Sequence, residues 1–273
     1  MKLINNQDKF LKELSKKYRI ELLKKFYKIK QGHPGSVFSM IDIVVSMFHS
    51  EFIKINKNKQ IEDRIVISKG HATVALYPIL ANFGVLDKKE WENWGEKESI
   101  LRVFGNISIP GIHATTGSLG HGLGVGVGMA LSFKKSKIKN KVFVIISEGE
   151  LYEGSTWESL MFASHFNLDN LTIIIDVNNL IILGSTKDSL SLGSIQNKIK
   201  SFDLNVEECD GHSHKEINKF LLNEYSNNKP KCLIANTIKG KGISMMENVA
   251  HWHYWNDISQ NDYENMLEEL KND

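Results

Sequence analysis

The sequence has few cysteines, little net charge and no long apolar run. Its two cysteines, Cys209 and Cys232, lie far apart without the spacing of a metal site, so neither a disulfide framework nor a cysteine metal centre is indicated. The formal net charge of +2 gives no reason to expect a nucleic-acid partner. Because no run of 18 apolar residues and no leader-like N-terminus occur, we expect a cytoplasmic protein without a membrane span.

What the sequence does contain is typical of a globular protein, with 41% hydrophobic and 24% charged residues. A chain of 273 residues can bury a sizeable core, in one large α/β domain or two small ones. Since no linker or repeat interrupts it, we expect a single domain over residues 1–273 with a helical N-terminal segment, 1–60. Basic residues near 9–30 alternate with apolar ones at helical spacing, which favours a solvated amphipathic helix over a nucleic-acid or membrane surface.

Short apolar runs alternate with segments of helical periodicity. The runs predict strands at 64–68, 142–146, 171–175, 206–209 and 232–235. Helical spacing predicts helices at 8–30, 38–53, 72–83, 154–167, 214–226 and 262–271, with irregular chain over 87–108 and a loop with a short helix over 180–200. Strand–helix–strand units form parallel sheets by right-handed crossover. The order therefore predicts an α/β fold, a doubly wound, mainly parallel sheet with helices on both faces.

Glycines crowd the region 111–133, and five of them alternate from Gly120 to Gly128. We predict a loop that leads into a helix. On that helix Gly120, Gly124 and Gly128 share a face, which would let another helix approach closely. Gly120-x-Gly122 also aligns with a dinucleotide-binding fingerprint, but that alternative requires a strand immediately before it, and none is predicted.

Polar residues follow two predicted strands at the point where each ends. Ser147-Glu148-Gly149-Glu150 follows one, and Asp176-Val177-Asn178-Asn179 follows the next. Ligands bind beyond the carboxyl ends of parallel strands, so we expect Glu148 and Asn178 to meet there. Their oxygens suit Mg²⁺ or Ca²⁺, and a helix beginning near Gly154 would direct N–H groups at an anion. A metal–diphosphate site is one interpretation; ordinary strand caps and turns are the other.

The same residues, together with several other short motifs, resemble the transketolase family. Ser147-Glu148-Gly149 followed by Asn178 resembles its thiamine-diphosphate motif, which is usually Gly-Asp-Gly followed by Asn. Further matches, in order, are Gly32-His33-Pro34-Gly35, Ser68-Lys69-Gly70-His71-Ala72, Thr115-Thr116-Gly117-Ser118-Leu119-Gly120-His121-Gly122, Trp157-Glu158, Asp210-Gly211-His212, Lys239-Gly240-Lys241-Gly242 and Trp252-His253. Their order and spacing are specific over about residues 15–255. The resemblance implies the thiamine-diphosphate-binding fold of the family's amino-terminal, diphosphate domain.

The resemblance also implies roles for individual residues. Metal ligation falls to Glu148, Asn178 and the backbone carbonyl of Leu180, with Mg²⁺, or else Ca²⁺ or Mn²⁺, as the ion. Cofactor binding falls to His71, Gly117, Ser118, Leu119, Glu148, Gly149, Glu150 and Asn178. Catalytic roles fall to His33, His71 and His253 in the substrate channel, and to Glu153 and Glu158 at a proton-relaying subunit interface. Neutral histidines with a pKa near the operating pH suit hydrogen bonding to sugar hydroxyls and proton transfer.

The implied reaction is ketol transfer from a ketose donor to an aldose acceptor, with thiamine diphosphate as the electron sink. The complete family site also uses a pyrimidine-binding domain, whose activating glutamate no later segment of this sequence supplies. We therefore expect a separately encoded partner chain, as in split transketolases, in a dimer or an α2β2 assembly. The alternatives are a decarboxylating lyase or synthase that uses the same cofactor, and a non-catalytic regulatory or binding subunit.

The sequence also departs from the family pattern. Ser147-Glu148 replaces Gly-Asp, and the longer glutamate would displace either the metal or its own backbone. A Gly-His-Pro motif is missing from 101–110, so one channel histidine is absent, and we hypothesise that His113 replaces it. The changed channel leads to a further hypothesis: a donor other than an ordinary pentose-pathway sugar phosphate, as in specialised sugar biosynthesis.

Overall fold

A parallel sheet lies between two layers of helices in the computed structural model, which describes residues 2–272. The strands are β1 (Arg64–Ile67), β2 (Val142–Ser147), β3 (Leu171–Val177), β4 (Leu180–Ile181), β5 (Gly184–Ser185), β6 (Asn205–Asp210) and β7 (Lys231–Asn236). The α-helices are α1 (Lys2–Ile29), α2 (Pro34–His49), α3 (Tyr77–Asn82), α4 (Lys88–Glu92), α5 (Gly122–Lys135), α6 (Gly154–His165), α7 (Thr186–Leu190), α8 (Ile195–Lys200), α9 (His214–Leu222) and α10 (Gln260–Asn272). Short 3₁₀ helices cover Gly70–Leu76, Glu148–Tyr152 and Ala250–His253.

Within the described residues, five strands form the main sheet in the order β1-β2-β3-β7-β6, and every neighbouring pair is parallel. The central strand β3 is buried along its whole length, as apolar strands covered on both faces are. The register places Ser147 opposite Asp176 and Val177 opposite Asn236, so the central strands end level with one another. The predicted doubly wound α/β fold is confirmed.

Alternate side chains along each strand enter separate cores on the two faces of the sheet. In β2, Phe143 and Ile145 belong to the core that also contains α1 and α2. Val142 and Val144 belong to the core that also contains α5 and α6. Burying one such side chain contributes about 1.5–3 kcal/mol to stability, so the two cores fix the helices to the sheet.

The boundary between the first two helices is set by glycine and proline. Gly32 adopts a φ of +116°, which interrupts helical geometry, and Pro34 occupies the first turn of α2, where its missing N–H is not needed. The predicted helix at 38–53 was therefore misplaced, because α2 begins and ends about four residues earlier. No helix in the part of the chain that the structure describes is long and apolar enough to span a bilayer.

The glycines of α5 bring this helix close to the sheet. A Cβ added to Gly126 would clash with Val144 of β2, and one added to Gly122 would clash with Ser68. A Cβ on Gly128 would meet nothing within 4 Å. The face with Gly122 and Gly126 therefore packs closely on the sheet. The predicted close approach of another helix is found on the Gly120 and Gly124 face, where an added Cβ would lie 2.5 Å from Glu153 Cβ, just before α6, and 3.4 Å from Ser159 Oγ on α6. Irregular chain precedes α5, so the dinucleotide-binding alternative has no strand to support it.

The segment 180–200 is more regular than predicted. Leu180 pairs with Ser185 and Ile181 with Gly184 in a short antiparallel hairpin, which the two helices α7 and α8 follow. The hairpin stands directly after β3 and therefore borders the edge of the sheet where ligands are expected.

Candidate functional site

Adjacent strand ends bring an acidic side chain and an amide side chain to one place, as predicted. Glu148 follows β2 and is 4% exposed, Asn178 follows β3 and is 6% exposed, and both line a cavity of about 390 Å³. Glu148 Oε2 accepts a hydrogen bond from the Asn179 N–H at 2.8 Å, and Asn178 Oδ1 accepts one from the Leu180 N–H at 3.2 Å. Burial raises the pKa of Glu148, and hydrogen bonds from Thr186 and Asn179 partly offset this.

Three histidines form a triangle in the same cavity. The ring centroids are 5.2 Å apart for His33 and His71, 5.3 Å for His33 and His253, and 5.4 Å for His71 and His253. Burial, followed by the positive charge of Lys239, lowers the pKa of His33 to about 4 and that of His253 to about 3. Burial also holds the pKa of His71 well below its ordinary value. The imidazoles are therefore neutral at pH 7, and their pKa values lie further from the operating pH than the sequence indicated.

Two buried lysines supply positive charge that we did not predict from the sequence. Lys69 and Lys239 are each 1% exposed, and both line the cavity. Lys69 is ion-paired with Asp176, and its Nζ donates to the Ser36 carbonyl oxygen at 3.0 Å. Lys239 Nζ lies 3.3 Å from His253 Nδ1, and burial, followed by the charge of Lys69, lowers the pKa of Lys239 to about 8. Lysines are almost never fully buried unless they are paired. Lys69 is paired with Asp176, whereas Lys239 has only the neutral His253 imidazole beside its ammonium group in the described residues, so Lys239 indicates a functional site.

Most of the residues predicted for the site line this cavity, and they are His33, His71, Gly117, Leu119, Glu148, Gly149, Glu153, Asn178, Leu180 and His253. Three do not: Ser118 borders a neighbouring cavity, Glu158 is exposed on α6, and Glu150 is fully buried. The Glu150 carboxylate accepts hydrogen bonds from the N–H groups of Ser147 at 2.8 Å and Gly120 at 3.1 Å. It therefore supports the loop before α5 from inside the protein.

Two aromatic side chains at the rim of the cavity were also not predicted. The ring centroid of Phe104 lies 5.6 Å from that of His33, and the ring centroid of Tyr254 lies 4.9 Å from it. Phe104 is 42% exposed and Tyr254 is 52% exposed. Phe104 belongs to the segment 101–110, where the family's further channel histidine is missing. Because phenylalanine has no hydrogen-bonding group, this side of the rim is apolar.

The hypothesis that His113 replaces the missing channel histidine is wrong. Its Nδ1 accepts a hydrogen bond from the Ile65 N–H at 3.1 Å, and it borders a different cavity beside Arg64. Ile65 lies on β1, which pairs on one side only, with β2, so the imidazole satisfies a backbone donor at the sheet edge. Burial, followed by the charge of Arg64, lowers the pKa of His113 to about 4.

The donors in the cavity fit a divalent ion held together with a diphosphate. The Glu148 carboxylate, the Asn178 amide and the Leu180 carbonyl are hard oxygen ligands of the kind Mg²⁺ takes. Within residues 2–272 no group of three His, Cys, Asp or Glu side chains lies close enough to hold a metal ion. An ion here would thus complete its shell with phosphate or water oxygens. Lys239 offsets anionic charge, as a diphosphate requires, whereas the charge of Lys69 is already balanced by Asp176.

These features define an α/β enzyme domain that binds an anionic cofactor at the carboxyl edge of its sheet. The family model described as "Transketolase, thiamine diphosphate binding domain" matches residues 11–266. The chain therefore belongs to the transketolase family, in the part that binds thiamine diphosphate, and the resemblance inferred from the sequence is confirmed.

Three proteins of known name are similar to this chain in sequence or in structure. It is 38% identical over 244 residues to one subunit of the apulose-4-phosphate transketolase of Phocaeicola vulgatus, covering 88% of this chain and 86% of the relative. It is 34% identical over 230 residues to the 6-deoxy-6-sulfo-D-fructose transketolase subunit SqwG of a Clostridium species, covering 82% and 83%. The crystal structure of transketolase from Campylobacter jejuni has a TM-score of 0.83 at 26% identity, and the chain covers 46% of it.

Proposed function

We propose that this chain is one subunit of a two-chain transketolase-like enzyme, which transfers a two-carbon ketol unit from a ketose to an aldose. The observation that carries the proposal is a single cavity that combines oxygen ligands, buried lysines and a triangle of neutral histidines. The two relatives that match this chain along most of their own length are named as subunits of transketolases for apulose-4-phosphate and 6-deoxy-6-sulfo-D-fructose. These names support a two-chain enzyme.

The strand ends and Lys239 would hold the cofactor. Glu148, Asn178 and the Leu180 carbonyl would bind Mg²⁺, and Lys239 would offset part of the diphosphate charge, while Lys69 stays paired with Asp176. When bound, thiamine diphosphate supplies a nucleophilic carbanion for the ketose carbonyl and accepts the electron pair of the broken carbon–carbon bond.

The histidine triangle would orient the sugar and move protons. At neutral pH each imidazole of His33, His71 and His253 has one N–H donor and one acceptor nitrogen. His33 Nδ1 is buried and has no hydrogen-bond partner in the described residues. Burying a polar atom without a hydrogen-bond partner is costly, so a substrate hydroxyl that reached this nitrogen would remove that cost. An anionic ligand nearby would raise the histidine pKa values towards neutrality, which would make proton transfer easier.

A partner chain would complete the site. Glu153 lines the cavity and Glu158 is exposed on α6, which supports the proposal that a second chain contacts both. We propose that residues 1–273 act as the diphosphate-binding domain and that the partner contributes the pyrimidine-binding domain, in a dimer or an α2β2 assembly. The two free cysteines, Cys209 and Cys232, are consistent with the cytoplasm as the location.

The position of Phe104 sharpens the sequence-based hypothesis about the donor sugar. A donor hydroxyl directed at Phe104 would lose its hydrogen bonds to water without replacement. The proposed donor therefore presents carbon-bound hydrogens to this ring, which would distinguish it from a ketose that needs a histidine there.

Calorimetric titration of thiamine diphosphate with Mg²⁺ tests the proposal. The titration is made into the chain alone and into the chain mixed with a candidate pyrimidine-domain chain. We expect much tighter binding in the mixture, followed by ketol transfer when donor and acceptor are added. Binding to neither sample would overturn the catalytic proposal in favour of a regulatory subunit.

Variants of Glu148 test whether its carboxylate binds the metal ion or has lost that role. Glu148→Ala should abolish metal-dependent binding if the carboxylate ligates the ion, and Glu148→Asp should retain it. If instead wild-type protein binds nothing and Glu148→Asp gains binding, the natural chain is a poor cofactor binder. Pyruvate offered against ketose donors, with the products identified, separates a decarboxylating enzyme from a ketol transferase.

A further inference from the structure

The loop after β7 carries Lys239 into the cavity, and a chain of buried polar groups holds the start of this loop. The Ile238 N–H donates to His212 Nε2 at 2.8 Å. Because Nε2 accepts, a neutral His212 carries its proton on Nδ1, which lies 2.7 Å from Asp42 Oδ2. Asp42 also accepts two hydrogen bonds from Arg19, at 3.1 and 2.6 Å.

We propose that His212 is a positioning residue of the site, which fixes the backbone at Ile238 and thereby sets the ammonium group of Lys239 in the cavity. The inference rests on the proposed function, since it assigns Lys239 to the binding of the cofactor diphosphate. His212 belongs to the Asp210-Gly211-His212 motif and does not line the cavity itself.

The loop after β7 is also held by neighbours on its other sides, so the His212 bond can fix the position of the Lys239 side chain. The Gly240 N–H donates to the Gly35 carbonyl oxygen at 3.0 Å. A Cβ added to Gly35 would lie 2.8 Å from the Trp252 carbonyl oxygen and 3.0 Å from Lys239 Cγ. The lysine stem is thus packed between α2 and the segment that carries the third histidine of the triangle. A shift of the backbone at Ile238 would therefore move Nζ within the cavity.

Two substitutions separate the two bonds of His212. In His212→Gln the side-chain amide reaches the position of Nε2, so its oxygen can accept from the Ile238 N–H, and the bond to Asp42 is lost. In His212→Asn the amide lies near the position of Nδ1, so it can donate to Asp42, and the bond to Ile238 is lost. If His212 only stabilised the fold, the binding affinity would not depend on which of the two variants keeps the bond to Ile238.

The experiment measures inorganic pyrophosphate binding, with Mg²⁺, to the full chain at pH 7 by calorimetry, and unfolding by urea for the same samples. We expect His212→Asn to weaken binding about tenfold and His212→Gln to stay within about threefold of wild type. The inference would be overturned if pyrophosphate affinity fell in proportion to the loss of unfolding free energy in both variants, regardless of which hydrogen bond each variant keeps.

His214→Gln is the matched control. His214 is buried two residues away, and its ring nitrogens lie 2.7 Å from Ser46 Oγ and 3.2 Å from Ser15 Oγ. Its Nε2 also lies 3.7 Å from Asp42 Oδ1, so His214 shares Asp42 with His212, but none of its hydrogen bonds in the described residues reaches the loop of Lys239. This variant should lose stability and keep its affinity for pyrophosphate. Loss of affinity in the control as great as in His212→Asn would show that general destabilisation explains the effect.

A second measurement distinguishes failure of the inference from failure of the proposed function. The titration of Lys239 is followed by NMR in the full chain with ¹³C-labelled lysine, assigned with Lys239→Met, without any ligand. In His212→Asn we expect the Lys239 signal to titrate closer to the ordinary lysine pKa, and in His212→Gln to titrate as in wild type. If wild type binds no pyrophosphate, the proposed function fails, but a different Lys239 titration in His212→Asn and His212→Gln still supports the positioning role of His212. If Lys239 titrates equally in both variants, the positioning role is overturned.

Discussion

Two buried carboxylates, Asp42 and Asp176, are each paired with a cation, but the two pairs differ in their place and their partner. Asp42 on α2 is bonded by Arg19 and His212 in the interior. Asp176 on β3 is bonded by Lys69 at the cavity. Burial alone would raise both pKa values, yet the neighbouring cation holds each below its ordinary value.

The difference between the cations shows what each pair is for. Arginine keeps its proton and grips a carboxylate with a rigid fork, which suits a permanent support of the fold. Lysine has a compact charge that can lose its proton when buried, which suits a site where anionic ligands come and go. Ser39 and Asp42 lie one turn apart on α2, and Ser39 Oγ donates to Asp176 at 2.6 Å. One helix therefore supports both pairs.

The largest effect is expected from Asp42→Asn. The arginine would be left buried without a counter-charge and without the option of losing its proton, so the free energy of unfolding should fall by about 3–5 kcal/mol. The loss should be similar at pH 6 and pH 9, as measured by urea unfolding. Asp169→Asn is the control, since Asp169 forms an exposed pair with Lys134 and should cost less than about 1 kcal/mol.

A smaller loss is expected from Asp176→Asn, roughly 2–3 kcal/mol at pH 7, because Lys69 can become neutral. A buried lysine without a counter-charge favours its neutral form, so raising the pH should remove part of the penalty in the variant. The free energy of unfolding of the variant should therefore rise with pH relative to wild type. If the difference in unfolding free energy between Asp176→Asn and wild type stays constant from pH 6 to pH 9, the Asp42 and Asp176 pairs do not differ in the way proposed.

Lys239 should make pyrophosphate binding depend on pH. Its charge is present below its pKa of about 8 and is lost as the pH rises through that value. Wild-type affinity should therefore fall above pH 8. Lys239→Met should bind pyrophosphate about tenfold more weakly than wild type at pH 7, and its affinity should not show the fall above pH 8 that the lysine causes. Lys241→Met serves as the control, since Lys241 pairs with Glu247 at 3.1 Å and does not line the cavity.

The smallest effect is expected at the rim, away from both pairs. Phe104→His should leave stability and pyrophosphate affinity unchanged and shift the preference among ketose donors by roughly 3- to 10-fold. The measurement is kcat/KM for D-xylulose 5-phosphate and D-fructose 6-phosphate in the reconstituted two-chain enzyme. Phe104→Leu preserves an apolar rim, so an equal shift in that variant would mean that ring size, not polarity, selects the donor.

Features that depend on strand order were predictable from the sequence. Glu148 and Asn178 end consecutive apolar runs, and parallel pairing must place such ends side by side. The histidines His33, His71 and His253 come from segments far apart in the chain. No periodicity relates them, so only the motifs of the family indicated that they meet.

Features that depend on tertiary burial were not predictable. Lys69 stands in a short motif beside His71, and nothing in its neighbours shows that Asp176, far along the chain, would compensate its charge. The misassignment of His113 has the same origin, because irregular chain over 101–113 gives no pattern that tells which side chain faces the cavity. Phe104 does so because its loop packs there, with Gly105 against Thr73.

The strand order of the sheet has a consequence for synthesis on the ribosome. β6 leaves the ribosome before β7 but pairs only with it, and β3 remains an open edge until β7 arrives between them. An incomplete nascent chain therefore exposes a long apolar strand with unpaired backbone groups, a known template for aggregation. Products that terminate before residue 231 should accumulate as insoluble material or in complex with chaperones, and not as inactive but folded protein.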